Sequence, residues 1–397
     1  TGKVTGGIKM DASSGMGMVG GERKDVMLKI AMFGQKRIPS REGGVEIVVE
    51  ELATRMVQIG HDVTCYNRKG HHVSGAKFDI QSMDNYKGIK IKIVPTIEKK
   101  GLAAISSAFF ATMFCAFGKY DVVHVHAEGP ALFCGILKLF HKRVVMTCHG
   151  LDHQRTGKWN AIARWCILQG EKSAVKNADE IIVLSKNVQK YFKDTYGRDT
   201  HFIPNGVNVP MIRSAKEIND KFGLTKDSYF LFLGRIVPEK GVHYLIHAFK
   251  NVNTDKKLVI AGGASDTDDY MQELKNMAKK DDRVLFTGFV QGELLEELYS
   301  NAYVYVLPSD LEGMPLSLLE AMSYGNCCIV SDISECAEVV EDKALVFKRA
   351  NETKLKERLQ EAADNTEKVK KYKEGAMDFI CNKYNWEDVV KKTLELY

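Results

Sequence analysis

Residues 303–331 read YVYVLPSDLEGMPLSLLEAMSYGNCCIVS. Tyr303–Leu307 and Cys327–Ser331 are short, nearly wholly apolar runs, the pattern of strands buried on both faces of a parallel sheet. Between them a loop through Ser309, Asp310 and Gly313 opens a helix. Pro315 suits the first helical position, where a missing N–H costs nothing. Free N–H groups around Gly313–Leu316 then face the loop mouth, and a helix N-terminus of this kind favours an anion such as phosphate. Glu312 stands at the lip, and Glu320 lies further into the helix. Two carboxylates around such a helix end suit a ligand with hydroxyls on both sides of its phosphates. A nucleotide-sugar is such a ligand.

Outward from this stretch the same alternation continues. Towards the N-terminus, Met27–Phe33 is an apolar strand, followed by a loop through Pro39, Gly43 and Gly44 and a helix from Val45 to about Ile59. Strands are expected at His61–Tyr66, Asp121–Val125, Arg143–Thr147 and Glu180–Leu184. Helices are expected near Pro130–Phe140, over Trp159–Lys176 and up to Tyr196. Ile203–Pro210 is turn-rich and reads as an interdomain crossing. The pattern restarts with strands at Tyr229–Leu233, Lys257–Ala261 and Val284–Thr287, and a last helix, Trp386–Tyr397, follows a break at Asn385. This repetition predicts an α/β chain of two doubly wound, Rossmann-like domains with a cleft between them, where the strands' carboxyl ends meet. The expected division is a flexible leader over 1–24, an N-terminal domain over 25–208, a C-terminal domain over 209–380, and a helix over 381–397 that crosses back to the first domain.

Composition agrees with this size. A chain of 397 residues is too long for one ordinary core, and 45% hydrophobic with 27% charged residues is the balance of a globular enzyme. The nine cysteines form no CxxC pair and no metal-like cluster, which points to buried free thiols in a reducing cytoplasm. The net charge of +5 conceals an asymmetry: residues 25–210 carry 26 Lys+Arg against 17 Asp+Glu, whereas residues 211–397 carry 26 against 32. A basic first domain suits an anionic membrane or acceptor, with a merely solvated surface as the alternative. Nucleic acid is not expected as a partner. The leader lacks the apolar core of a signal peptide. Leu102–Gly118, flanked by Lys99, Lys100 and Lys119, is at the short limit for a spanning helix and reads better as a buried or membrane-touching one. The expected location is therefore the cytoplasm, with peripheral contact to the inner face of the plasma membrane.

Further chemistry sits at strand ends. Gly234-Arg235-Ile236-Val237-Pro238-Glu239-Lys240-Gly241 follows the strand Tyr229–Leu233, so Arg235 and Lys240 place two cations at a strand–helix junction, suited to clamping a diphosphate. In Arg41-Glu42-Gly43-Gly44-Val45, two glycines let the backbone approach a phosphate or sugar. His149, in Thr147-Cys148-His149-Gly150-Leu151-Asp152, lies at a strand's carboxyl end and can donate a hydrogen bond to a sugar hydroxyl. His124 and His126 alternate with valine and read as core or lip residues, without the further ligands of a metal site. Asp266-Thr267-Asp268-Asp269 contains an Asp-x-Asp, but helix capping explains it better than a metal.

Taken in order, Gly43-Gly44, His149-Gly150, Ile203-Pro204-Asn205-Gly206-Val207, Gly234-Arg235 with Pro238-Glu239-Lys240-Gly241, and Glu312 separated by seven residues from Glu320 resemble the pattern of retaining glycosyltransferases of family four, which have the GT-B fold. The resemblance spans about residues 27–397 and is nearest to bacterial members that build surface polysaccharides. It implies that Arg235 and Lys240 bind the diphosphate of a UDP-, GDP- or dTDP-linked sugar, Glu320 the ribose hydroxyls and Glu312 the sugar hydroxyls. Gly313, Met314 and Pro315 would line the sugar and phosphate site, Gly44 would approach the diphosphate, and His149 would contact the transferred sugar. Gly43, Asn205 and Gly234 complete the implied donor-binding set. No cofactor or metal is implied, and the acceptor would be a glycan or a lipid-diphosphate-linked sugar. Two other readings stay open: a nucleotide-sugar epimerase or hydrolase on the same scaffold, and a non-catalytic nucleotide-sugar-binding module.

Overall fold

The computed structural model describes residues 26–72, 75, 78–79, 83–99, 101–154, 161–265 and 267–397. The leader over 1–24 lies outside them. Strands β1 (Lys29–Phe33), β2 (Asp62–Arg68), β3 (Asn85–Tyr86), β4 (Ile89–Val94), β5 (Val122–His126), β6 (Arg143–Cys148), β7 (Glu180–Val183) and β8 (His201–Phe202) form one sheet in the order β3-β4-β2-β1-β5-β6-β7-β8. Only β3 runs antiparallel to its neighbour. Strands β9 (Tyr229–Leu233), β10 (Lys257–Ala261), β11 (Val284–Gly288), β12 (Val304–Leu307), β13 (Cys327–Ser331) and β14 (Leu345–Phe347) form a second, wholly parallel sheet in the order β11-β10-β9-β12-β13-β14.

Parallel sheets are covered on both faces, and their strands are accordingly apolar runs rather than alternating ones. Every residue of β5, β9, β12 and β13 is buried. The strands that sequence reading missed are those without this signature. β4 alternates isoleucine with exposed lysine because it lies near the sheet's edge, and β3, β8 and β14 are two or three residues long. The helix expected from Trp159 is described from Ala161 to Asn177.

Strand order fixes the site. From β1 the chain moves out to β2 on one side and returns to β5 on the other; from β9 it moves to β10 and returns to β12. Crevices open at the carboxyl ends of strands where the winding reverses. Gly43 and Gly44 follow β1, Arg235 follows β9, and Glu312 follows β12, so these residues collect at the two switch points.

The helix Trp386–Leu394 packs on the helix Gly44–Gln58 of the first sheet's layer. Asn385 caps it, its side chain accepting from Asp388 N–H at 2.8 Å. Arg55 lies over Trp386 and within 3.4 Å of Glu387. Val207, in the crossing segment, donates its N–H to Tyr384 O at 2.7 Å, so the outgoing and returning chains run together. The apolar segment after Lys99 is the helix Leu102–Phe117. It buries its small residues, including Ala108, Ala111 and Cys115, and leaves Phe114 and Phe117 exposed. Among the described residues, no helix is long and apolar enough to cross a membrane.

Candidate active site

A cleft open to solvent separates the two sheets. The twelve residues implied as catalytic or donor-binding line it: Gly43, Gly44, His149 and Asn205 from one side, and Gly234, Arg235, Lys240, Glu312, Gly313, Met314, Pro315 and Glu320 from the other; His124 and His126 are core residues and do not.

The helix Leu316–Ser323 begins one residue later than expected. Pro315 is its cap, with an extended backbone (φ −77°, ψ 95°), and its carbonyl accepts from Leu318 and Leu319 N–H at 3.0 and 3.2 Å. The opening N–H groups of a helix have no partner within it, so those of Leu316 and Ser317 face outwards. Both residues line the cleft, so the anion-friendly helix end opens into it.

Lys240 reaches across this loop to Glu312, with Nζ at 2.6 and 2.8 Å from the two carboxylate oxygens. Ser309 Oγ donates to Glu312 Oε1 at 2.6 Å. The pair is nearly buried, at 12% and 8% side-chain exposure. The cation and the carboxylate thus hold each other, which fixes both rotamers. Glu320 is held by Arg41 from the other side of the cleft and by Tyr299 Oη at 3.2 Å. The Arg41 guanidinium is pushed above its ordinary range, chiefly by the Glu320 charge. Sequence reading quoted Arg41 beside Gly43 but gave it no role; its partner lies 279 residues away.

The two sides touch at glycine. A Cβ on Gly313 would stand 1.7 Å from His149 O, and Gly150, at φ +136°, passes against Gly313 Cα. Asn205 N–H points at Met314 Sδ at 3.0 Å. No side chain larger than hydrogen fits at Gly313 without moving the domains apart.

His149 is backed by a chain of buried histidines. Its Nε2 shares a proton with His126 Nδ1 at 3.1 Å, and the His126 and His124 rings stack 4.1 Å apart. His124 pairs with Tyr397 Oη at 2.6 Å and Thr147 Oγ1 at 2.7 Å. Burial pushes His149 down to about 4 and His124 to about 3, so both imidazoles are neutral near pH 7. A neutral imidazole here can donate or accept a hydrogen bond but brings no charge. The histidines of β5 thus form a layer under His149.

The Asp-x-Asp segment is a helix start. Asp268 and Asp269 occupy the first turn, where acids suit the helix dipole, and Thr267 is the cap residue, its hydroxyl donating to Ile236 O at 2.6 Å. Asp268 and Asp269 follow the cap rather than forming it, and Asp266 lies outside the described residues. Sequence reading also missed a buried trio, Glu128, His153 and Glu171, whose members stand far apart in the chain.

Comparison with known proteins agrees with this arrangement. Residues 42–209 match the family model Glycosyltransferase Family 4, and residues 214–379 match Glycosyl transferases group 1. An uncharacterized glycosyltransferase, MJ1607, of Methanocaldococcus jannaschii is 25% identical over 93% of this chain and 98% of its own length. An Escherichia coli UDP-Gal:alpha-D-GlcNAc-diphosphoundecaprenol alpha-1,3-galactosyltransferase is 30% identical over 54% of this chain and 59% of its own. Among solved structures, Anabaena HepE in complex with UDP-glucose superimposes with a TM-score of 0.76 at 17% identity, covering 93% of this chain and all (100%) of that one. With two Rossmann-like sheets, a shared cleft and family models matched on both halves, the chain has the GT-B fold and belongs to the family 4 glycosyltransferases.

Proposed function

We propose that this enzyme transfers a hexose from a UDP-sugar to a lipid-diphosphate-linked saccharide, with retention of anomeric configuration and without a metal at the donor diphosphate. One observation carries the reading: Arg235, Lys240 and the Leu316 helix end converge with Glu312 and Glu320 on a single interdomain cleft. The cations and the helix end supply the charge that a divalent ion would otherwise bring to a departing diphosphate. Glu320 takes the ribose hydroxyls, and Glu312 takes the sugar hydroxyls from the position that Lys240 holds. The names of two similar proteins, a UDP-galactose-dependent transferase and a UDP-glucose complex, favour UDP and a hexose.

In the step proposed, the bond from the anomeric carbon to the diphosphate oxygen breaks through an oxocarbenium-like state. The acceptor oxygen attacks on the same face, and its proton passes to the leaving phosphate oxygen. Arg235 and Lys240 stabilise the charge gathering on that oxygen. His149, neutral and backed by His126, orients the sugar by hydrogen bonding. Contact between Gly313 and the His149–Gly150 backbone keeps water from the reacting carbon.

The acceptor reading rests on the outer surface of the first domain. Phe114 and Phe117 on the helix Leu102–Phe117, Leu139 and Phe140 at the end of the helix Cys134–Leu139, and Ile162 and Trp165 on the helix Ala161–Asn177 are exposed on or beside three neighbouring helices. With the basic balance of this half, they form a surface suited to the inner face of an anionic membrane. Sedimentation with phosphatidylglycerol and phosphatidylcholine vesicles tests this contact. Equal binding to both, or none to either, would remove it. Product analysis by NMR after transfer tests retention, and equal turnover with and without added Mg²⁺ or Mn²⁺ is expected if no metal acts at the diphosphate, a dependence on either ion refuting it.

A further inference from the structure

A second polar cluster lies behind the cleft wall, and no member of it lines the cleft. Glu128 follows β5, His153 sits in the short turn Asp152–Gln154 after β6, and Glu171 is on the helix Ala161–Asn177. The two glutamate side chains are fully buried (0% exposed) and His153 is 13% exposed. Each carboxylate has one oxygen fixed by hydrogen bonds. Glu128 Oε2 accepts from Asp152 N–H at 2.8 Å, and Glu171 Oε1 accepts from Tyr191 Oη at 2.8 Å and from the Tyr196 hydroxyl. The remaining atoms, Glu128 Oε1, Glu171 Oε2 and His153 Nδ1, are buried and have no well-aligned hydrogen-bond partner outside the trio, only the ion-pair contacts of His153 with the two carboxylates. They nonetheless converge: Nδ1 is 3.8 Å from Glu128 Oε1 and 3.3 Å from Glu171 Oε2, and all three atoms lie within 4.8 Å of one another.

We propose that Glu128, His153 and Glu171 bind a divalent transition-metal ion, of which Zn²⁺ fits best, at a structural site behind the His149–Asp152 loop. Two buried carboxylates with their free oxygens turned towards each other repel unless one keeps its proton or a cation lies between them, either the His153 imidazolium, which both carboxylates favour, or a metal ion. One imidazole and two carboxylates are ligands that Zn²⁺ accepts, and bonds of about 2.0–2.2 Å in a tetrahedron place neighbouring ligand atoms about 3.3 Å apart. The two separations from His153 Nδ1, 3.3 and 3.8 Å, lie within about 0.5 Å of that figure, and the two carboxylates are within 4.8 Å of each other. The tyrosine hydroxyls and the Asp152 N–H supply the outer hydrogen bonds that orient carboxylate ligands in metal sites. A fourth position would fall to water. Because Asp152 binds Glu128 through its backbone and itself lines the cleft, the ion would pin the loop carrying His149. It would therefore support the shape of the cleft and take no part in stabilising the leaving diphosphate.

The test is metal retention by the full chain. Protein stripped with EDTA is dialysed against Zn²⁺, with Mn²⁺ and Mg²⁺ in parallel, freed of excess ion and analysed by mass spectrometry for metal content. About one equivalent of Zn²⁺ is expected, with a rise of several degrees in the thermal midpoint. The isosteric changes Glu128→Gln and Glu171→Gln are each expected to lower retention at least tenfold. Because nine thiols are present, Co²⁺ is used as a spectroscopic substitute: weak d–d bands without thiolate charge transfer would place the ion on nitrogen and oxygen, whatever the variants' folding. No retained Zn²⁺ in the parent protein, retention unaffected by both substitutions, or a thiolate band with Co²⁺ would each overturn the assignment.

Discussion

Lys240→Met isolates the charge pair at the centre of the cleft. Lys240 Nζ lies 2.6–2.8 Å from the Glu312 oxygens, with only 12% and 8% of the two side chains exposed. At that separation the gross attraction is about 6 kcal/mol at an effective dielectric of 20. Desolvation offsets much of it, but deleting one partner strands the other, at a cost of roughly 3–5 kcal/mol. The residual exposure favours the lower end, about 3 kcal/mol. For a unit the size of the C-terminal domain, this lowers the thermal midpoint by about 6–12 °C. The double variant Lys240→Met with Glu312→Gln leaves no stranded charge, so most of that loss is expected to return. Turnover is not: without the Lys240 ammonium at the leaving oxygen, kcat falls about 10²–10³-fold, and removing Glu312 restores nothing. Differential scanning calorimetry and nucleotide-release kinetics on the four proteins of the cycle read both quantities. If stability losses in the double variant simply add, the pair is not coupled. If the double variant regains turnover, Lys240 acts on Glu312 and not on the diphosphate.

Other predictions follow from the same geometry. Glu320→Gln is expected to weaken UDP binding about tenfold by calorimetry, through loss of charge-assisted hydrogen bonds, while Glu312→Gln leaves UDP affinity unchanged; equal effects would erase the division between ribose and sugar ends. Gly313→Ala puts a methyl group 1.7 Å from His149 O and forces the domains apart. It should lower kcat/KM about 10²-fold or more with little change in the thermal midpoint, and unaltered kinetics would show that the contact is not needed for turnover. Stability should also fall with acidity. His149 and His124 titrate near 6.5 when unfolded but at about 4 and about 3 when folded, so between those values the unfolded chain binds more protons. Their contribution is complete above about pH 6.5 and is lost as pH falls towards 4 and 3, at about 1.4 kcal/mol per pH unit for each histidine. Chemical denaturation from pH 7 to 5 should show this slope, and His149→Asn should reduce it. An unchanged slope in that variant would mean that His149 is not held neutral by the fold.

The sequence carried the fold because its central strands are buried on both faces. Runs such as Tyr229–Leu233 and Cys327–Ser331 leave little choice but a parallel sheet, and glycine or proline marks the end of many strands, as at Gly234, Gly262 and Pro308. The weak points were physical too: β4 has only one covered face, so its Ile-Lys alternation lacked the apolar run being sought. The cleft was legible because its polar residues sit at strand ends, where topology brings them together. Pairings across the cleft were not, since nothing local couples Arg41 to Glu320 or Lys240 to Glu312. The trio of Glu128, His153 and Glu171 stayed hidden for the same reason: its ligand-like spacing exists only after β5, β6 and the helix Ala161–Asn177 have packed.

The central claim is that the cleft holds a nucleotide-sugar for transfer to an acceptor. The most direct measurement is a panel of UDP-, GDP-, dTDP- and ADP-sugars, scored by calorimetric binding and by nucleotide release with and without a lipid-diphosphate saccharide. The account predicts that a UDP-hexose binds and that release rises sharply when acceptor is present. Release that is the same with and without acceptor would contradict transfer, and failure of every nucleotide-sugar to bind would contradict the cleft's assignment altogether.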